Sequence, residues 1–232
     1  MTKSYLLSKV LILLIIAPLF LSCSTTKTVK FTQKTDEIVN TKSLKGYLSE
    51  NENPKIVLRV TRSEENVTEN EENDYLFNAI ENQLLESGFI VRDRQLFTQI
   101  ISNMESSDDY KNLKEKSDTD LIIELIKIKR DVEYTTNKYI DDKGREKTEV
   151  SVVRKKYGAT IEFKVILINS NEFAGLYKFN YTPCTDGCIV SGPVRRMTRP
   201  NSKDKAFEGV EFDELEAFVK DATKKLVGEM RN

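Results

Sequence analysis

No histidine occurs anywhere in the 232 residues. That absence excludes Ser-His and Cys-His nucleophile pairs and the imidazole ligands of common zinc enzymes. Glycine motifs are missing as well: there is no Gly-x-Ser-x-Gly elbow and no Gly-x-Gly-x-x-Gly fingerprint. Gly187 and Gly192 have the separation of a phosphate-binding loop, but Pro193 stands where its lysine must be. Neither sign of charge dominates, with 36 Lys and Arg against 37 Asp and Glu and a formal net charge of −1. Such a chain lacks a global basic field, so nucleic acid is not an expected partner. Nothing in the pattern calls for a cofactor or a metal.

Long apolar runs are reduced to one. Lys3 and Lys9 precede the apolar stretch at 10–21, which stops at Ser22-Cys23. A spanning helix needs roughly 20 apolar residues, so this is a charged n-region and h-region of signal-peptide length. Ser22 before the cysteine and Ser24-Thr25-Thr26 after it resemble a lipobox, with Phe20 where the pattern usually has leucine. Residues 1–22 are therefore expected to be a lipoprotein signal peptide, and Cys23 the lipidated first residue of the mature chain. Ser24 rather than Asp after Cys23 is compatible with passage to the outer membrane, as the sorting rule of some Gram-negative lipoproteins implies.

Three cysteines occur in all. With Cys23 lipidated, Cys184 and Cys188 remain, in Pro183-Cys184-Thr185-Asp186-Gly187-Cys188. An oxidising periplasm lets such a pair close a small loop, helped by the turn residues around it. Two free thiols are the alternative. A metal site needs about four ligands and is a more distant one.

The mature chain carries enough apolar residues for a core beneath a very charged surface. Residues 23–54 read as a lipidated polar tether, with a short edge strand at 28–32. A single α/β domain is expected over 55–232. Its first strand is Lys55-Ile56-Val57-Leu58-Arg59-Val60. The acidic run at 63–74 reads as a solvated loop, since the calcium-loop pattern of an EF-hand is absent. Leu76, Phe77, Ile80 and Leu84 fall on one helical face, and Gly88 sits where a left-handed cap belongs. A strand at 89–93 follows, with Asp93 placed to cap a second helix carrying Leu96, Phe97, Ile100, Ile101 and Met104.

A short helical stretch at 110–116 leads to the dense apolar segment 120–128, expected as a central strand covered on both faces. A long charged hairpin near 130–157 turns at Asp141-Asp142-Lys143-Gly144. Ala159, Ile161, Phe163, Val165 and Leu167 alternate with polar residues as a strand with one core face. Asn169-Ser170-Asn171 turns it into a strand at 173–181. A basic connection with Arg195, Arg196, Arg199, Lys203 and Lys205 precedes a closing helix seamed by Phe212, Leu215, Val219, Ala222 and Leu226. Helix crossovers make the early strands parallel. The fold class is α/β: a mixed sheet, parallel at its start and antiparallel after, flanked by helices.

Carboxylate motifs are short. Asp118-Thr119-Asp120 resembles an Asp-x-Asp metal motif but lies at the start of a strand, and reads better as a turn and strand-entry cap. Asp108-Asp109 and Asp141-Asp142 fall in turns, where Asp is expected. Arg92-Asp93-Arg94 reads as a helix cap flanked by arginines, with a charged partner patch as the alternative. Arg195, Arg196 and Arg199 are candidate partner contacts.

The segment Leu84-Leu85-Glu86-Ser87-Gly88-Phe89-Ile90-Val91-Arg92-Asp93-Arg94 resembles one in periplasmic lipoproteins of the curli-secretion (CsgG), TolB-amino-terminal-like and penicillin-binding-protein-activator type. Ser117-Asp118-Thr119-Asp120-Leu121-Ile122-Ile123 occupies the place of that group's strand entry, with Ser117 and Thr119 replacing its small residues. The resemblance covers roughly 55–230 and implies an anticodon-binding-domain-like fold. No pair of hairpins shows the outward-apolar alternation of about ten residues that a membrane barrel requires. The expectation is a lipid-anchored, non-enzymatic protein-interaction module in envelope assembly or secretion, facing the periplasm, with oligomerisation open. A subunit of an oligomeric curli-type secretion complex is the alternative, and a carboxylate-dependent enzyme the third reading.

Overall fold

A computed structural model of the chain describes residues 26–60, 71–102, 110–191 and 209–232. It is α/β, with two sheets and flanking helices, and its residues divide into two compact units.

The larger unit holds residues 31–135, 154–185 and 206–232. Its six-stranded sheet contains β2 (Glu37–Asn40), β3 (Lys55–Val60), β4 (Ile90–Arg92), β5 (Leu121–Thr136), β8 (Arg154–Leu167) and β9 (Glu172–Tyr181). The spatial order is β2-β9-β8-β5-β3-β4. β3 pairs in parallel with β4 and with β5, as the helix crossovers predict, and β8 pairs antiparallel with β9. Among the described residues five helices accompany the sheet: α1 (Lys42–Glu50), α2 (Glu71–Glu86), α3 (Arg94–Ser102), α4 (Tyr110–Ser117) and α5 (Phe212–Arg231).

Alternation along the strands sorts side chains onto two faces. Ile56, Leu58, Leu121, Ile123, Ile161, Phe163, Tyr177 and Phe179 belong to the main core. Ile80 and Leu84 of α2 and Leu215, Val219, Ala222 and Leu226 of α5 complete it. On the other face Val57, Ile122 and Ile166 pack with Phe97 of α3 and Leu113 of α4. The expected closing-helix seam is buried throughout except at its first residue, Phe212, which is half-buried.

Helix ends follow their signals. Gly88 adopts φ +87°, Phe89 N–H donates to Leu84 O at 3.2 Å and Gly88 N–H to Leu85 O at 3.0 Å. Those two bonds are the Schellman closure of a helix on a left-handed residue. Asp93 Oδ1 accepts from Leu96 N–H at 2.6 Å and so caps α3.

The smaller unit, described over 26–30, 136–153 and 186–191, is a four-stranded antiparallel sheet. It contains β1 (Thr26–Val29), β6 (Lys138–Ile140), β7 (Glu146–Thr148) and β10 (Cys188–Ser191), in the order β10-β1-β6-β7.

Three expectations need correcting here. Residues 26–50, read as a polar tether, carry β1, β2 and α1. The strand expected at an edge is interior to its sheet, paired with β10 on one side and β6 on the other. These short segments have no strong period because neighbours distant in sequence supply their partners: β2 adds to β9, and Leu44 and Leu48 of α1 enter the main core. The central strand is also longer than expected, reaching Thr136. The hairpin expected near 130–157 therefore contributes β6 and β7 to the second, small sheet.

Candidate functional site

Cys184 and Cys188 are joined as a disulfide. Cys184 takes φ +56° and Gly187 φ +104°, so the five-residue loop reverses through two left-handed positions. On a loop-entropy basis a bridge this short contributes about 2 kcal/mol. Cys184→Ser should lower stability by that amount in urea unfolding, and the variant should lose the sensitivity to reductant shown by the parent.

The hairpin turn is tightly organised around one carboxylate. Asp141 Oδ1 accepts from the backbone N–H groups of Lys143 and Arg145, each at 2.9 Å. Its Oδ2 meets Arg145 Nη2 at 3.0 Å and Lys147 Nζ at 3.1 Å. Gly144 at φ +74° completes the reversal and donates to Asp141 O at 3.0 Å. The Arg145 backbone N–H, then Lys147 and the Arg145 side chain, hold the Asp141 carboxyl far below the usual carboxylate range. A depressed folded pKa means that the turn is fully stabilised above the unfolded value of about 3.9 and weakens as pH falls below it. The Lys143 and Arg145 amide shifts in NMR spectra should stay constant through the ordinary carboxylate range near pH ~4 and move only at still lower pH. In Asp141→Asn that titration should vanish.

Asp118-Thr119-Asp120 serves the strand entry. Asp118, at φ +49°, meets Lys55 Nζ at 2.7 Å and also pairs with Arg92. Its carboxyl is held below the ordinary range, first by the Lys55 hydrogen bond. Asp120 Oδ2 accepts from Lys55 N–H at 2.9 Å, and its Oδ1 lies 3.4 Å from Lys114 Nζ. Burial, followed by the Asp120 charge and hydrogen bond, raises the Tyr47 phenol well above its ordinary range. Both carboxylates are thus engaged by cations, and that of Asp120 also by the backbone of β3. In Arg92-Asp93-Arg94, Asp93 is the cap, Arg92 reaches Asp118, and Arg94 lies over the Phe77 ring at 5.1 Å. Glu81 stands 4.0 Å from Arg94 and is held above the usual range, chiefly by burial.

Sequence reasoning missed the polar groove on the six-stranded sheet. It encloses about 510 Å³ and is lined by Lys34, Glu37, Lys127, Lys129, Thr160, Glu162, Lys178 and Asn180, among others. Lys178 Nζ bridges Glu37 at 3.0 Å and Glu162 at 3.9 Å. Asn180 Oδ1 accepts from Thr160 Oγ1 at 3.0 Å, while its amide donates to Thr35 O at 2.8 Å. Beside it on β5, Glu124 is buried between Arg59 and Lys164, each at 3.0 Å. The signal was present in part: Thr160, Glu162 and Lys164 are the polar half of the alternation that marks β8. Lys129 could not be added, because the strand was expected to end at 128, and Lys127 lay in a run expected to be covered on both faces.

Cys23, Arg195, Arg196 and Arg199 lie outside the described residues, as does most of the acidic run at 63–74. Among the described residues no helix is long and apolar enough to cross a membrane.

No protein-family model matches the chain, and no curated protein matches it. Two solved structures of PelC from Paraburkholderia phytofirmans, both dodecamers, resemble it. One, a point variant, is 11% identical with a TM-score of 0.43, covering 86% of this chain and 100% of its own. The other is 10% identical with a TM-score of 0.39, covering 85% of this chain and 96% of its own.

Proposed function

We propose that the chain is a lipid-anchored, non-enzymatic protein-interaction module of the cell envelope. In this reading it is held at the outer membrane through Cys23, faces the periplasm and serves envelope assembly or secretion. The observation that supports it is the pairing of Cys184 with Cys188. A disulfide persists in oxidising compartments, and its formation leaves Cys23 as the odd cysteine, at the end of a signal-like segment. The partner would meet the groove around Lys178, the organised hairpin turn, or the basic residues Arg195, Arg196 and Arg199. The groove and the turn suit recognition, because their carboxylates are already committed to lysines, arginines and backbone N–H groups.

Crosslinking of the intact lipoprotein in native membranes, followed by affinity capture, tests the reading. A discrete envelope protein should be captured, and charge reversal at Lys178 or at Arg195 and Arg196 should weaken its recovery. Absence of any partner, with turnover of a small-molecule substrate by the purified chain, would replace the module with an enzyme. Light scattering on residues 24–232 separates a monomeric adaptor from a ring: a stable assembly of many copies would favour a subunit of a secretion complex.

A further inference from the structure

Two residues, Ser24 and Thr25, separate Cys23 from the first strand of the small sheet, which begins at Thr26. Fully extended, three residue steps reach at most about 11 Å. A lipid on Cys23 therefore holds β1 close to the phospholipid headgroups, and neighbouring strands stand only about 5 Å to either side of it.

Register decides what this sheet presents. Thr28 of β1 is opposite Ile189 of β10 and also opposite Ile140 of β6, so the three side chains form one row on one face. Ile189 is 71% exposed. Lys138 shares the face by alternation with Ile140 and pairs with Glu146 at 2.9 Å. The opposite face is engaged within the chain: Val29 is buried, and Lys27 pairs with Glu149 at 3.2 Å while lying over the Tyr139 ring.

We propose that the face carrying Ile189, Thr28 and Ile140 rests on the headgroup surface of the membrane that holds the Cys23 lipid. The inference depends on Cys23 being lipidated, as in the function proposed above. The row continues to Glu146, opposite Ile140, whose carboxylate Lys138 neutralises. A face with two isoleucines and a closed ion pair carries no net charge against the headgroups, and the apolar stem of the lysine lies along the surface. The chain has no cationic field to draw it to lipid, and none is needed. A short tether gives an effective concentration in about the millimolar range, so a weak contact is populated.

The absence of tryptophan makes a clean test. Ile189→Trp and Ile140→Trp place single reporters on the proposed face, and Tyr139→Trp places one on the other. Each full-length lipoprotein is reconstituted into phosphatidylethanolamine and phosphatidylglycerol vesicles, with and without brominated acyl chains, and Cys23 is examined by mass spectrometry. Acylated Cys23, with blue-shifted emission that bromine quenches at Ile189→Trp and Ile140→Trp and much less quenching at Tyr139→Trp, is the expected result. Acylated, vesicle-bound protein without that quenching at either position overturns the docked face and leaves the lipoprotein reading intact. Unmodified Cys23 overturns both. Blue-shifted emission indifferent to bromine puts protein on this face instead, and also overturns the proposal.

Discussion

Cys23→Ser is expected to move the protein from the membrane fraction to the soluble one and to abolish incorporation of labelled palmitate. Stable anchoring needs two acyl chains or a chain plus a polybasic patch, since each buried methylene contributes about 0.8 kcal/mol and a single chain binds only marginally. Among the described residues no long apolar helix offers a substitute anchor. The signal-like segment is the other candidate: if it stayed uncleaved and held the chain in the bilayer, Cys23→Ser would remain membrane-bound and unlabelled at its parental size. Fractionation, labelling and intact mass together distinguish these outcomes. A Cys23→Ser protein that still sediments with membranes at the size of an unlabelled parent would refute the lipid anchor.

The second large effect is in the core. Phe163 is fully buried in β8 and packs edge-to-face on Phe179 at a centroid distance of 6.5 Å. Phe163→Ala removes its burial, leaves a cavity in a sheet that cannot collapse freely and loses the ring pair; the cost is about 3–5 kcal/mol. Against a total stability of roughly 5–15 kcal/mol, that is a large fraction. For a chain of this size the midpoint of thermal unfolding should fall by roughly 10 °C. Val39→Ala, at a position 63% exposed, should change stability by no more than about 0.5 kcal/mol. Thermal melts by circular dichroism compare the two. Equal effects would mean that β8 does not occupy the centre of the core.

Strong periodicity made much of the larger unit legible. The α2 stripe, the Gly88 closure, the Asp93 cap, the β8 alternation and the α5 seam are all local patterns with local physical causes. The Asp141 turn was legible for the same reason, because Gly144 and the Asp side chain act within five residues. The groove around Lys178 was not. Its walls come from β2, β5, β8 and β9 and the segment before β2, and no single stretch shows that Glu37 and Glu162 both reach Lys178. Glu124 was hidden within an apolar run, and its accommodation depends on Arg59 of β3 and Lys164 of β8.

The amino-acid sequence alone determined the helix ends, the parallel start of the larger sheet, the cysteine pair and the expectation of an anchor at Cys23, since each rests on spacing or on neighbours a few residues apart. Only the tertiary structure decided that residues 26–50 form strands and a helix, and that separated segments of the chain assemble a second small sheet. Thr26, Thr28 and Ile38 acquire strand pairing from residues more than a hundred positions away, at Ser191, Ile189 and Tyr177. A four-residue strand has too little internal pattern to declare itself; it exists because distant partners satisfy its backbone hydrogen bonds.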